Sequence, residues 1–133
     1  MIVRAFADTN VAVYCLDADA TRRAKALAVM RSRPVISVQV VNEFLSVVLR
    51  RGRLPRETVI RLVRILMNRC EVMSVTRQTV ETALYLGDRY QVSHWDSLII
   101  AAALAAGCDT LFSEDLQHGQ IFNGQLTVVN PFL

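Results

Sequence analysis

Lysine is nearly missing from this chain: among its 15 basic residues Lys25 is the only one, and the rest are arginines. That scarcity excludes two kinds of phosphate chemistry. A phospho-accepting receiver domain requires a lysine after a late strand, and none stands there. Neither G-x-x-x-x-G-K-[ST] nor G-x-G-x-x-G occurs, so a nucleotide-binding loop has no support. Histidine is as scarce, and neither His94 nor His118 belongs to a local relay with serine, cysteine or aspartate. The three cysteines, Cys15, Cys70 and Cys108, form no C-x-x-C pair and no zinc-ligand spacing. Such an odd, scattered set, after an amino terminus interrupted by Arg4, points to a reducing cytoplasm. The longest apolar run, residues 98–106, is far below the roughly 20 residues that span a bilayer, so no membrane partner is expected.

What the chain does have is apolar bulk. With 53% hydrophobic residues and a mean hydropathy of +0.31, it can bury a substantial core, and disorder is excluded. Its 133 residues, free of repeats, low-complexity tracts and linkers, read as a single domain over residues 1–133. A net charge of +3, carried on arginines suited to bidentate phosphate contacts, permits a nucleic-acid partner without requiring one.

Short apolar runs at residues 2–7, 35–38, 72–75, 110–112 and 127–129 read as strands. Between them, the helix-capping types Asp8-Thr9-Asn10 precede a short apolar segment over residues 11–16, and helical patterning marks residues 21–31, 39–51, 55–68, 78–90 and 93–106. The last of these is apolar all round from Leu98 to Ala106, which places it at the centre of the molecule, with Gly107 as its stop. Strands alternating with helices predict an α/β fold: a three-layer sandwich whose mostly parallel sheet of four to five strands has helices on both faces. In such sheets ligands gather beyond the carboxyl ends of the strands.

Four acids stand out under that rule. Asp8 directly follows the first strand, Glu43 lies on the polar face of an early helix, Asp96 opens the apolar helix, and Asp115 follows the fourth strand. Each also has an ordinary reading. Asp8 is a natural helix N-cap, Glu43 a solvated glutamate, Asp96 part of a capping box with Ser93, and Asp115 part of a short helix capped by Ser113. If they converge, their mutual repulsion calls for cations. An all-oxygen donor set without histidine or cysteine favours Mg²⁺ or Mn²⁺ over zinc.

Four segments together resemble the PIN domain, and within it the VapC toxins of bacterial toxin–antitoxin pairs. They are Ala7-Asp8-Thr9-Asn10, Val41-Asn42-Glu43-Phe44, the stretch from His94-Trp95-Asp96 to Ala103, and Leu111-Phe112-Ser113-Glu114-Asp115-Leu116. Their order and spacing cover essentially the whole chain. The resemblance implies that Asp8, Glu43, Asp96 and Asp115 are catalytic metal ligands, with Thr9, Asn10 and Ser113 as supporting polar residues. Asp115 is preferred to Glu114 because it stands two residues after the serine. Also implied are Mg²⁺- or Mn²⁺-dependent endonucleolytic cleavage of RNA, a homodimer, and a small cognate antitoxin that blocks the site. A PIN-fold nuclease with a processing role on RNA or DNA, or a catalytically silent binding module of the same fold, are the alternatives.

Other residues are given lesser parts. His94 is read as a packing or polar contact at a helix start, and His118 as a loop residue near the site. Trp95 and Tyr14 have faces that can stack on bases but are assigned to the core. Arg50, Arg51, Arg53 and Arg56 form the densest basic cluster, either a solvated helix junction or an edge that touches phosphate or antitoxin.

Overall fold

The structure, a computed structural model, describes residues 3–133. All six expected helices form, each end within two residues of its expected place: α1 (Thr9–Tyr14), α2 (Ala20–Arg31), α3 (Val38–Arg51), α4 (Arg56–Arg69), α5 (Arg77–Tyr90) and α6 (His94–Ala105). Local chemistry sets the bounds. The Ser37 hydroxyl accepts from the Val40 N–H to start α3, and Gly52, at φ +63°, ends it in the left-handed region. Thr76 and Thr79 cap α5 reciprocally. Ser93 starts α6, in which every residue from Ser97 to Ala103 is buried.

The strands are β1 (Ala5–Ala7), β2 (Val35–Ser37), β3 (Glu71–Met73), β4 (Thr110–Phe112), β5 (Ile121–Phe122) and β6 (Leu126–Val129). The first strand is expected over residues 2–7; Ile2 lies outside the described residues. Five strands coincide with the expected runs, and β5 is an addition to the expected four to five. It pairs antiparallel with β6 across a turn in which Asn123 and Gly124 both have positive φ, 52° and 63°. Two residues are too few to show alternation, but the Asn123-Gly124 pair is itself a turn signal.

The sheet order is β3-β2-β1-β4-β6-β5, and all pairings but the last are parallel. The chain steps outward from β1 to β2 to β3, then returns to lay β4 on the other side of β1. Right-handed crossovers then put α1 to α4 on one face and α5 and α6 on the other. The helix contacts agree: α1 packs on α2 and α3, α3 on α4, and α5 on α6. Gly87 permits the last approach, since a Cβ there would stand 3.0 Å from Ser97 Oγ. The core runs through Phe6, Ile36, Ile100, Leu111 and Val128. No helix among the described residues is long and apolar enough to cross a membrane. The step from β2–β1 to β1–β4 is where the strand order reverses, and its carboxyl side is where a ligand is expected.

Candidate active site

Two of the four expected acids, Asp8 and Asp115, stand at that reversal. Asp8 leaves β1 with its N–H donating to the Phe112 carbonyl at 2.9 Å, so the register of β1 on β4 sets Asp8 beside Ser113. Its carboxylate is bound on both oxygens. Oδ1 accepts from the Thr9 N–H at 2.7 Å, and Oδ2 from the Ser113 hydroxyl at 2.8 Å. Asp8 is therefore the N-cap of α1 through one oxygen and reaches Ser113 through the other, so the capping reading and the site reading do not compete.

Ser113 links two acids. While its hydroxyl donates to Asp8, its oxygen accepts from the Asp115 N–H at 3.2 Å. No helix follows it, contrary to the capping alternative; residues 114–116 form a bend instead. Asn10, on the first turn of α1, serves both acids of this bend. Its Nδ2 donates to Asp115 Oδ2 at 3.1 Å, and its Oδ1 accepts from the Glu114 N–H at 3.3 Å. Glu43 comes in from α3, accepting from the Thr9 hydroxyl at 2.9 Å. Asp96, on the first turn of α6 with its N–H on Ser93 Oγ at 3.1 Å, acts on Asp8 through space.

Asp8 carries the electrostatic signature. It is only 5% exposed, and burial pushes its carboxyl up from 3.8 to about 6. The hydrogen bonds from Ser113 and Thr9 oppose that rise, while the charges of Asp115 and Asp96 add to it. No ion pair among the described residues involves Asp8, Glu43, Asp96 or Asp115; the pairs are Arg4–Glu71, Arg22–Asp17 and Arg77–Glu81. A buried carboxylate flanked by like charges is costly unless a cation joins it. The donors available are all oxygen, which suits a hard divalent ion. Among the described residues no three His, Cys, Asp or Glu side chains are already gathered closely enough to enclose one. Asp115 is turned to Asn10 and Glu43 to Thr9, each by one hydrogen bond that ligation can replace.

With that geometry in view, likeness to known proteins is informative. The PIN domain family profile matches residues 5–121. The chain belongs to the PIN domain family. A search of curated protein sequences gives no significant match. Among solved structures, the PIN domain described here is similar to VapC20 of Mycobacterium tuberculosis, a sarcin-ricin loop cleaving toxin. The TM-score is 0.64 at 22% identity, over 82% of this chain and 88% of that one. A toxin–antitoxin complex from Klebsiella pneumoniae aligns with TM-score 0.70 at 18% identity, over 96% of this chain and 97% of that one. DNA-bound VapBC from Salmonella typhimurium gives 0.69 at 18%, with the same coverage. At these identities the likeness concerns the fold.

Two aromatic assignments need correction. Tyr14 is half-buried, not core: its hydroxyl donates to Glu114, and its ring carries the Arg22 guanidinium 4.8 Å from its centroid. That hydrogen bond ties Glu114 to α1, and it is the main cause of a raised Tyr14 pKa. The signal was available, because Tyr14 lies four residues after Asn10 and so on the same helix face. Trp95 is exposed rather than core. His118 lies in a loop, its Nδ1 accepting from the Asn130 N–H at 3.0 Å. His94 packs edge-on to Trp95. Arg50, Arg51, Arg53 and Arg56 are all exposed around the α3–α4 turn. Arg51 is about 12 Å of helix beyond Glu43.

Proposed function

We propose that this chain is a Mg²⁺- or Mn²⁺-dependent endoribonuclease and the toxin of a type II toxin–antitoxin pair. The observation that carries the reading is the buried Asp8 carboxylate. It is joined through Ser113 to Asp115, feels the charge of Asp96, and has no cationic side chain to offset it.

Asp8, Asp96 and Asp115 are the residues that would hold the ion, with Glu43 a ligand directly or through water. A divalent ion there would supply activation of water and offset of charge on the scissile phosphate. The remaining work falls to the chain. Ser113 and the Thr9 N–H fix the Asp8 carboxylate, the Thr9 hydroxyl aims Glu43, and Asn10 steadies the Glu114–Asp115 bend. Because Asp8 must be ionised to ligate, its raised pKa ties activity to pH values above the acidic range.

For the antitoxin, support comes from fold neighbours solved as toxin–antitoxin complexes and from an apolar cleft on the α1–α4 face. That cleft, about 230 Å³, is lined by Leu16, Leu27, Phe44, Leu62 and Leu66 with Arg31 and Arg69. It can seat apolar side chains of a small partner. For the homodimer, exposed Val80 and Leu84, one turn apart on α5, provide an apolar stripe.

Cleavage of a mixed pool of structured RNA by the purified protein tests the activity, with Mg²⁺ or Mn²⁺, with EDTA, and with Asp96→Asn. Metal-dependent cleavage that vanishes in the variant is the expected result. Equal behaviour of wild type and variant would assign any cleavage to contamination and favour a silent binding module.

A further inference from the structure

Trp95 is 65% exposed, more than any other large apolar side chain of the described residues except Leu133. Exposing an indole forgoes the largest hydrophobic gain any side chain offers, so its position asks for a contact. The residue is nonetheless held firmly. It lies in the first turn of α6 behind the Ser93 cap, and its carbonyl accepts from Gln39 Nε2, at the start of α3, at 3.2 Å. The His94 ring stands against it edge-on, centroids 5.7 Å apart and planes at 64°. The next residue is Asp96. Neighbouring residues on a helix point about 100° apart, so the indole flanks that carboxylate without covering it.

We propose that Trp95 is a stacking platform for one unpaired base of the RNA strand, beside the nucleotide whose phosphate meets the carboxylates. The inference rests on the ribonuclease reading above and adds to it a residue that grips one base beside the cleaved bond. Aromatic faces grip bases only when those bases are out of a duplex, and they do so with little regard to sequence. A nucleobase fits the page better than a protein partner. The exposed apolar surface of this helix start is one ring, between His94 and Asp96, whereas a stable protein interface buries roughly 1,200–2,000 Å². Gln39, which holds the Trp95 carbonyl, keeps its own Oε1 enclosed without a hydrogen-bond partner.

Trp95 is the only tryptophan of the chain, so its emission reads the contact directly. The full-length protein is titrated with oligoadenylate, oligouridylate and a blunt RNA duplex, in Ca²⁺ to bind strands without consuming them. Anisotropy of labelled strands records binding in parallel. Single strands should quench the emission saturably, and the duplex should not at equal nucleotide concentration. Trp95→Ala should weaken single-strand binding roughly tenfold, and Trp95→Phe should restore most of it. On a cleavable RNA, Trp95→Ala should raise KM and leave kcat nearly unchanged. Strand binding with unchanged emission, or cleavage with wild-type KM in Trp95→Ala, overturns the stacking role but leaves the nuclease reading standing. Quenching and binding without cleavage in Mg²⁺ or Mn²⁺ sinks the nuclease reading alone. Emission that shifts with protein concentration before any RNA is added would give this face to a second copy and overturn the proposal.

Discussion

At the amino ends of the strands, Glu71 lies half-exposed with its Oε2 2.7 Å from Arg4 Nη2; at the carboxyl ends, Asp8 is 5% exposed with no arginine or lysine paired to it. The same sheet thus treats its acids in two ways. Glu71 is arranged as folding alone would arrange it, with solvent and a cation sharing the charge. Asp8 is arranged against folding: desolvated, crowded by Asp96 and Asp115, and steadied only by the hydroxyl of Ser113 and one backbone N–H. Strain of this kind persists where it serves a ligand. The difference supports placing the proposed chemistry at the carboxyl end, and substitutions at the two ends should answer differently.

The largest effect is expected from Asp8→Asn, which should lower RNA cleavage by about 10²-fold or more while raising the thermal midpoint of the metal-free protein. Because burial raises the Asp8 pKa to about 6, the folded protein holds that proton more tightly than the unfolded chain. The ionised group therefore costs nothing below about pH 4, and its penalty grows as pH rises through about 6. At neutral pH the penalty is on the order of 3 kcal/mol. Asparagine can still cap α1 but carries no charge, so the gain should shrink as the pH falls toward 4. Thermal melts of both proteins from pH 4 to 8 measure it, and a variant less stable than wild type at pH 7 would contradict the account.

How much of this was legible beforehand varies with the physics. Helices α3, α4 and α5 are plain because each carries a periodic apolar face, and α6 because its circumference is apolar, together with a cap such as Ser93 or a stop such as Gly52. The convergence of Asp8 and Asp115 was not, since it depends on β4 pairing with β1 across more than a hundred residues; only resemblance to a family proposed it. Asp8 as a cap and as a site residue looked like alternatives, when one carboxylate has oxygens enough for both. The Tyr14–Glu114 contact joins residues a hundred positions apart; the helix face that Tyr14 shares with Asn10 points toward the site but names no partner. An indole usually belongs in the core, and Trp95 departs from that because its polar neighbours, His94 and Asp96, mark a helix start that faces solvent.

An intermediate effect is expected from Ser113→Ala. Losing the hydroxyl removes the hydrogen bond that most lowers the Asp8 pKa, so the acid limb of the pH–rate profile should move to higher pH. Apparent metal affinity should fall about tenfold. An unmoved acid limb would remove Ser113 from the control of Asp8.

The smallest effect belongs to the other end. Glu71→Gln breaks a half-exposed pair and should change stability by less than about 1 kcal/mol. Cleavage should be unaltered, as read by denaturant melts and the same RNA assay. A loss of activity there would blur the contrast between the two ends.

The central claim, that the carboxylates at the β1–β4 end await a divalent cation, is tested most directly by the thermal midpoint as Mg²⁺ or Mn²⁺ is added. The wild-type midpoint should climb with metal, reaching about 2.7 kcal/mol of added stability at a hundredfold excess over Kd. EDTA should reverse the climb, and Asp8→Asn should stay flat. Equal midpoints for wild type with metal and with EDTA, or an equal climb in Asp8→Asn, would contradict it.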